Sequence, residues 1–282
     1  MSRIDLHCHS TVSDGLLDPA AVVRRAAAQG VSTLALTDHD DVDGLDAAGA
    51  AAAELGMAFV PGVEISVTWR NHTIHVVGLG IDAGDAALRQ GLEALRGGRV
   101  ERARRMGESL ARVGIAGAFG GALRLAGNPG LLSRTHFARF LVEQGHARDV
   151  KRVFRRFLVK GRPGYVPHQW ISLEQAIGWI RGAGGIAVLA HPGRYDVGAA
   201  TLGALLGEFK DLGGSAIEVV SGGHAPHQSG EFARHAAAFG LLASTGSDFH
   251  GPGESHFDLG RMPNLPAGCV PVWDALGLGA VH

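Results

Sequence analysis

His7 and His9 stand two residues apart in Asp5-Leu6-His7-Cys8-His9-Ser10, and Asp14 follows in Ser13-Asp14-Gly15. Successive side chains of a β-strand point to opposite faces, so the two imidazoles share one face while Leu6 and Cys8 turn the other way into apolar packing. Two imidazoles at a rigid strand end, with a hard oxygen donor in the next loop, form a metal-ligand pattern. A His-X-His pair alone is equally compatible with surface decoration. The rest of the chain decides, through Thr37-Asp38-His39-Asp40, Pro61-Gly62-Val63-Glu64, His75, His191-Pro192 and Ser247-Asp248-Phe249-His250, which repeats the two-residue spacing.

These groups need elements to position them. Residues 3–9 read as a strand. Asp18 caps a helix with Pro19 in its first position, running from Ala20 to Gln29 and stopped by Gly30. Val31 to Thr37 is the next strand, and an Ala-rich helix from about Gly44 to Leu55 stops at Gly56. Ala58 to Val60 is a short strand running into Glu64, and Thr73 to Leu79 is another. Later, a helix from Leu173 to Ala183 precedes the strand Ile186 to Ala190, with Ala216 to Val220 and Leu241 to Thr245 as further strands. Strands and helices alternating at this spacing predict βα units and a mostly parallel sheet. In a barrel of such units, polar residues at the C-terminal strand ends line the active face, where His7, His9, His39, Glu64 and His75 would fall. The Gly/Pro-rich tail from Pro252 is expected to wrap the barrel.

Between about Ala94 and Pro167 the pattern becomes all-helical: Arg99 to Val113, a short piece within 114–130, Thr135 to Glu143 and Ala147 to Lys160. Of the chain's 26 Lys/Arg and 27 Asp/Glu, residues 95–165 carry 16 basic and 4 acidic ones. A basic helical insertion (95–165) is therefore set against an acidic body (1–94 and 166–282), which suits an anionic substrate over bound cations. Within the insertion, Ser133-Arg134-Thr135-His136 opens a helix. Free N–H groups there favour an anion, and Arg134 is a bidentate phosphate donor. Lys160-Gly161-Arg162 returns the chain toward the barrel mouth.

Hydrophobic residues make up 46% and charged residues 19% of the sequence, a globular composition. No apolar run is long enough to span a membrane, the N-terminus lacks a signal peptide's apolar core, and Cys8 and Cys269 are too few for a disulfide framework. A cytoplasmic location is expected, with no membrane and no obligate protein partner.

Taken in order, His7-Cys8-His9-Ser10, Thr37-Asp38-His39-Asp40, Pro61-Gly62-Val63-Glu64, His191-Pro192 and Ser247-Asp248-Phe249-His250 resemble the polymerase-and-histidinol-phosphatase family of metal-dependent phosphoesterases. The resemblance covers the body on both sides of the insertion. It implies an α/β fold, a distorted (β/α)7 TIM-like barrel with a small all-helical insertion, and a trinuclear metal site. Carried over by position, His7, His9, Glu64 and Asp248 hold one ion; Glu64, His75 and His191 a second; Asp14, His39 and His250 the third. Relatives often have histidine at Asp14, so this third site is harder. That departure favours Mn2+, Fe2+ or Mg2+ over an all-zinc site; Mn2+ is the expected ion, with Fe2+, Zn2+ or Mg2+ as alternatives.

The expected chemistry is in-line attack on phosphorus by a metal-bridging hydroxide, with Arg134, His136, Lys160 and Arg194 contacting substrate. Arg134-Thr135-His136 and the return Lys160 to Pro167 are similar to the subgroup that removes the 3′-phosphate from 3′,5′-bisphosphorylated nucleotides and trims short RNA from its 5′ end. Relatives usually have proline at Thr135. No aromatic platform is visible, which disfavours long nucleic acid. Histidinol phosphate, an amide substrate and a non-catalytic barrel are the competing readings. Of the other histidines, His72, His146, His168, His235, His256 and His282 are expected at the surface, and His224 and His227 follow a strand end where substrate contact is open.

Overall fold

The computed structural model describes residues 3–278; His282 lies outside them. Strands β1 (Arg3–Asp5), β2 (Val31–Leu36), β3 (Ala58–Trp69), β4 (His72–Leu79), β5 (Ile186–Leu189), β6 (Ala216–Ser221) and β7 (Leu242–Gly246) form one sheet in sequence order. The first and last strands approach, with Leu6 N–H donating to the Thr245 carbonyl at 3.0 Å and Cys8 bridging Phe249, so the barrel is nearly closed. Helices α1 (Pro19–Ala28) and α2 (Leu45–Glu54) pack outside the first half. Then come α3 (Ala86–Gly97), α4 (Arg99–Ala111), α5 (Ala118–Leu125), α6 (Arg134–Glu143) and α7 (Val150–Val153), the last continued by a π turn, Phe154–Leu158. The body resumes with α8 (Leu173–Gly182), α9 (Ala199–Asp211) and α10 (Gln228–Phe239), and the tail ends in the short α11 (Val272–Ala275).

Local chemistry sets these boundaries. The Asp18 side chain accepts the Ala21 N–H at 2.8 Å, and Gly30 and Gly56 end α1 and α2 in the left-handed region. Ser172 and Gln175 close a capping box on α8.

Period-2 alternation then sorts the strands. Val60 and Glu64 of β3, His75, Val77 and Leu79 of β4, and Ala216 and Glu218 of β6 share the interior parity. Val63, Ile65, Val76 and Ile217 pack outward against the helices. The lower interior is filled by Leu6, Ala35, Val60, Val77, Leu79 and Val188, with Val272 of the tail beneath. The ionisable interior residues Glu64, His75 and Glu218 therefore lie toward the top. Helices α4 to α7 have an apolar cluster of their own, including Met106, Leu110, Phe137, Leu141 and Leu158, whereas Leu88, Leu92 and Leu95 of α3 belong to the barrel's cluster.

Three expectations change. β1 ends at Asp5 rather than at residue 9, because beyond it the chain inserts between β2 and β7: the Thr37 N–H donates to the Cys8 carbonyl and the His9 N–H to that of Phe249. Leu6 and Cys8 consequently diverge, Leu6 into the barrel interior and Cys8 into the outer cluster. β3 is twelve residues long, not a short strand. Finally, β4 runs antiparallel to both neighbours, so His75 reaches the mouth from the N-terminal half of its strand, not from a C-terminal end.

Candidate metal centre

His7, His9, Asp14, His39, Glu64, His75, His191, Asp248 and His250 converge at the barrel mouth, although seven of them lie outside the regular strands and Glu64 and His75 sit on two different ones. Glu64 is the hub. Its Oε1 lies 2.8 Å from His75 Nδ1 and 2.8 Å from His191 Nε2. Its Oε2 lies 2.9 Å from His39 Nδ1 and 3.3 Å from both His7 Nε2 and His9 Nε2. Asp248 Oδ1 is 3.3 Å from His9 Nε2, and Asp14 Oδ1 is 3.3 Å from His250 Nε2. Donor atoms lie within 4.8 Å of one another in four overlapping groups: His9, Asp14, His39 and His250; His7, His9 and Asp248; His7, Glu64 and His191; His39, Glu64 and His75. This sharing differs from the implied partition, since His9 joins the Asp14 group and His39 also faces Glu64.

The donor set fits divalent cations. Glu218 Oε1 takes the His7 Nδ1 proton at 2.7 Å, which leaves a lone pair on His7 Nε2. Ser13 Oγ gives its proton to Asp38 Oδ1 at 2.6 Å and accepts from His9 Nδ1 at 3.4 Å, which leaves another on His9 Nε2. These two lone-pair nitrogens face each other at 3.2 Å, an arrangement that a cation between them reconciles. The buried Glu64 Oε2 and Asp14 Oδ1 have no hydrogen-bond partner among the described residues. His250 is oriented alike, its Nδ1–H donating to the Asp248 carbonyl at 2.9 Å.

Electrostatics keep the carboxylates charged. Burial acts to raise the pKa of Glu64, but His39, His75 and His7 overcome it and hold the group well below the usual range. Asp248 is depressed likewise against burial, by Arg194 and His250. Burial, with Arg194, pushes His191 down to about 4, so its imidazole is neutral and able to ligate. Backbone strain concentrates at the same place: His191 (φ 27°), Asp248 (φ 52°) and Asp40 (φ 51°) are left-handed non-glycine residues. At Gly246 a Cβ would lie 2.2 Å from His7 Cβ, so only glycine lets His7 and Glu218 stack against the end of β7.

The cluster opens into a cavity whose opposite wall is the insertion and its return: Arg99, Arg102, Arg134, Phe154, Tyr165, His168 and Trp170, with Arg194 at the rim. Arg99 is matched by Asp40 and by Ser66 Oγ at 3.0 Å. Arg102, only 7% exposed, meets no carboxylate among the described residues; its one partner is the Val166 carbonyl at 3.4 Å. Both guanidinium groups lie over the Trp170 ring, at 4.7 and 5.3 Å. Burial, then Arg134 and Arg99, push Arg102 down to about 9, which still leaves it cationic at neutral pH. Arg134, lowered by burial and Arg194, likewise forms no salt bridge among the described residues.

The predicted substrate contacts divide. Arg134 and Arg194 line the cavity, Arg194 Nη1 donating to Asp248 Oδ2 at 2.5 Å. Lys160 is exposed and outside the cavity wall. His136 is buried and occupied in capping, its Nδ1 accepting the Ser133 N–H at 3.1 Å. His168, expected at the surface, instead lines the cavity, because the return segment folds back over the mouth. His72, His146 and His235 are half-buried and His256 exposed, all away from the cavity wall. His224 is buried, accepting the Gly193 N–H at 3.2 Å, and His227 is exposed at the start of α10, so neither is placed for substrate.

Glu218, Arg102 and Trp170 were not among the sequence candidates. Glu218 had one readable signal, a carboxylate inside the apolar run Ala216-Ile217-Glu218-Val219-Val220. Its Oε2 also accepts the His191 N–H at 2.6 Å, so it orients two histidines of the cluster.

The chain is similar to known proteins over most of its length. A family model described as the PHP domain matches residues 5–155. The chain is 55% identical over 276 residues to a 3′,5′-nucleoside bisphosphate phosphatase of Chromobacterium violaceum, covering 98% of this chain and 97% of that one. It is 45% identical to the 5′-3′ exoribonuclease Rnm of Escherichia coli, over 95% of this chain and 92% of that one. A solved structure of an amidohydrolase from C. violaceum, with sulfate and no metal, superposes with a TM-score of 0.95 at 54% identity, covering 98% and 96% of the two chains. A Bifidobacterium adolescentis structure provisionally described as a metal-dependent phosphoesterase gives 0.81 at 26% identity, covering 99% and 97%.

Proposed function

The chain belongs to the PHP-domain family, and from that premise we propose that it is a metal-dependent phosphoesterase, a phosphoric monoester hydrolase. Its reaction removes the 3′-phosphate from 3′,5′-bisphosphorylated nucleotides such as adenosine 3′,5′-bisphosphate, leaving the 5′-nucleotide and phosphate. The observation that carries this reading is that a metal-ligand cluster and two guanidinium groups without carboxylate partners, Arg102 and Arg134, open into one cavity. One phosphate meets the metal side while the other is held by the insertion.

The nine side chains at the mouth would hold three divalent ions, Mn2+ foremost. When bound, such ions lower the pKa of water and neutralise phosphoryl oxygens. The protein's own residues do the rest. Glu218 and Ser13 fix the His7 and His9 tautomers, and Arg194 shares its charge between Asp248 and the cavity rim. Arg102 and Arg134 supply forked donors to the second phosphate in a site largely shielded from water, where charge-assisted bonds are strong. We place the enzyme in the cytoplasm, where its free thiols Cys8 and Cys269 and small nucleotide substrates are both at home.

A second reading, 5′-3′ removal of nucleotides from short RNA, is favoured by the aromatic side of the cavity. Phe154, Tyr165 and Trp170 line it, with Trp170 beneath Arg99 and Arg102 and Phe154 beneath Arg134, which suits a short strand rather than long nucleic acid. Phosphate release with Mn2+ from adenosine 3′,5′-bisphosphate, AMP and histidinol phosphate, beside mononucleotide release from 5′-phosphorylated tetranucleotides, tests both. Turnover of the bisphosphate to 5′-AMP, with AMP left intact, supports the reading. Activity confined to histidinol phosphate overturns the two-phosphate part of it.

A further inference from the structure

The helical insertion does more than face the cavity: it reaches one group of metal-site residues and leaves the others alone. The N-cap of α6, Ser133, is 8% exposed and donates its Oγ–H to Asp14 Oδ2 at 2.8 Å. The alternative acceptor, His136 Nδ1, is farther at 3.3 Å and already takes the Ser133 backbone N–H. A single hydroxyl proton goes to the charged, closer acceptor. With Oδ2 held, Asp14 Oδ1 is left buried and without a hydrogen-bond partner, 3.3 Å from His250 Nε2 and 4.0 Å from His39 Nε2.

Further contacts make this a clamp. The turn carrying Asp14 is gripped from the body by Asp38, which accepts from Ser10 Oγ and Ser13 Oγ at 2.6 Å each. From the insertion it is gripped at Gly127, where a Cβ would lie 2.5 Å from the Thr11 carbonyl oxygen. At the other side of α6, Arg139 forms a two-pronged pair with Glu254 at 2.8 and 2.9 Å. That places it on the loop where Ser255 Oγ accepts the His250 N–H at 2.7 Å. Thus α6 is tied to both Asp14 and the His250 loop, and its bonded contacts include none to His7, His75, Glu64 or His191 among the described residues.

We propose that Ser133 is a positioning residue that aims Asp14 at a cation, so that docking of the insertion sets the affinity of the one ion that Asp14 would hold, with His39, His250 and the shared His9. This rests on the metal-holding reading of the mouth. Losing a hydrogen bond that orients a ligand costs about 10- to 100-fold in metal affinity.

The test is metal binding without substrate: Mn2+ titration of the metal-free chain, with free Mn2+ read by electron paramagnetic resonance. Ser133→Gly removes the hydroxyl while keeping a residue tolerated at N-caps. His136→Ala removes the capping partner but keeps the hydroxyl. The expected result is three ions in the wild type, one of them weakened roughly 10- to 100-fold in Ser133→Gly with the other two unchanged. Ser133→Thr should restore it, and His136→Ala should lower the melting temperature without moving that affinity. Equal weakening of all three ions, no weakening, or the same loss in His136→Ala would overturn the role of Ser133. A wild type that takes up no ion at the Asp14 group would overturn the three-ion reading as well.

Discussion

The barrel mouth and the insertion wall face each other across one cavity and solve opposite electrostatic problems. At the mouth, carboxylates and imidazoles are crowded until Glu64 meets five histidines, and the carboxyls are held charged against burial. On the wall, Arg99 has its carboxylate, Asp40, but Arg102 and Arg134 have none among the described residues. At the mouth only one guanidinium, Arg194 on Asp248, answers the crowd of carboxylates and imidazoles among the described residues; on the wall, Arg102 and Arg134 meet no carboxylate among them. Each side is incomplete in the way that metal ions and a phosphorylated ligand would complete, and neither is explained by stability, since an unpaired buried charge costs free energy.

The comparison can be broken most strongly at its hub. Glu64→Gln keeps the shape of the side chain but removes the charge shared among the histidines. Turnover should fall by roughly 10³-fold or more, with loss of bound metal, as several kcal/mol of charge stabilisation disappears. Steady-state assays beside elemental analysis would read both. Near-normal turnover would mean that Glu64 is not the hub.

A smaller and more selective effect is expected across the cavity. Arg102→Gln and Arg134→Gln should each reduce kcat/KM for the bisphosphate roughly 10- to 100-fold, the worth of one lost charge-assisted hydrogen-bonding group. Hydrolysis of a simple aryl phosphate, which has no second phosphate, should change little. Equal losses on both substrates would remove the clamp from the wall.

The smallest effect sits at the seam between the two regions. Burial pushes His136 down to about 4, so the unfolded chain binds a proton near pH 6.5 that the folded chain refuses. Stability from this group is present above about pH 6.5 and falls as pH drops toward 4, by about 2 kcal/mol between pH 7 and pH 5. His136→Gln, which can still close a capping box, should flatten that part of the melting-temperature profile in metal-free protein. An unchanged slope would assign it to other groups.

Much of this arrangement could be read without coordinates. The strand boundaries near His39, His191 and Asp248, the caps at Asp18 and the glycine stops follow from local chemistry, which acts over a few residues. Parallel βα units then bring strand ends to one mouth whatever the details of packing. Other features were hidden because they depend on neighbours remote in sequence. His75 reached the mouth only because β4 reverses direction. His136 and Lys160 looked alike as basic candidates near Arg134, yet one was consumed in a cap and the other left in solvent.

By itself, then, the sequence determined which donor atoms exist and that successive βα units would gather them, because residue type and period are local properties. Only the tertiary structure decided how they are shared, oriented and faced. Glu218 is paired with His7 across 211 residues, Ser133 with Asp14 across 119, and Arg102 is left without a carboxylate under Trp170. Which proton a histidine keeps and which guanidinium stays unpaired are set by distances of about 3 Å between remote segments, and no local pattern encodes those.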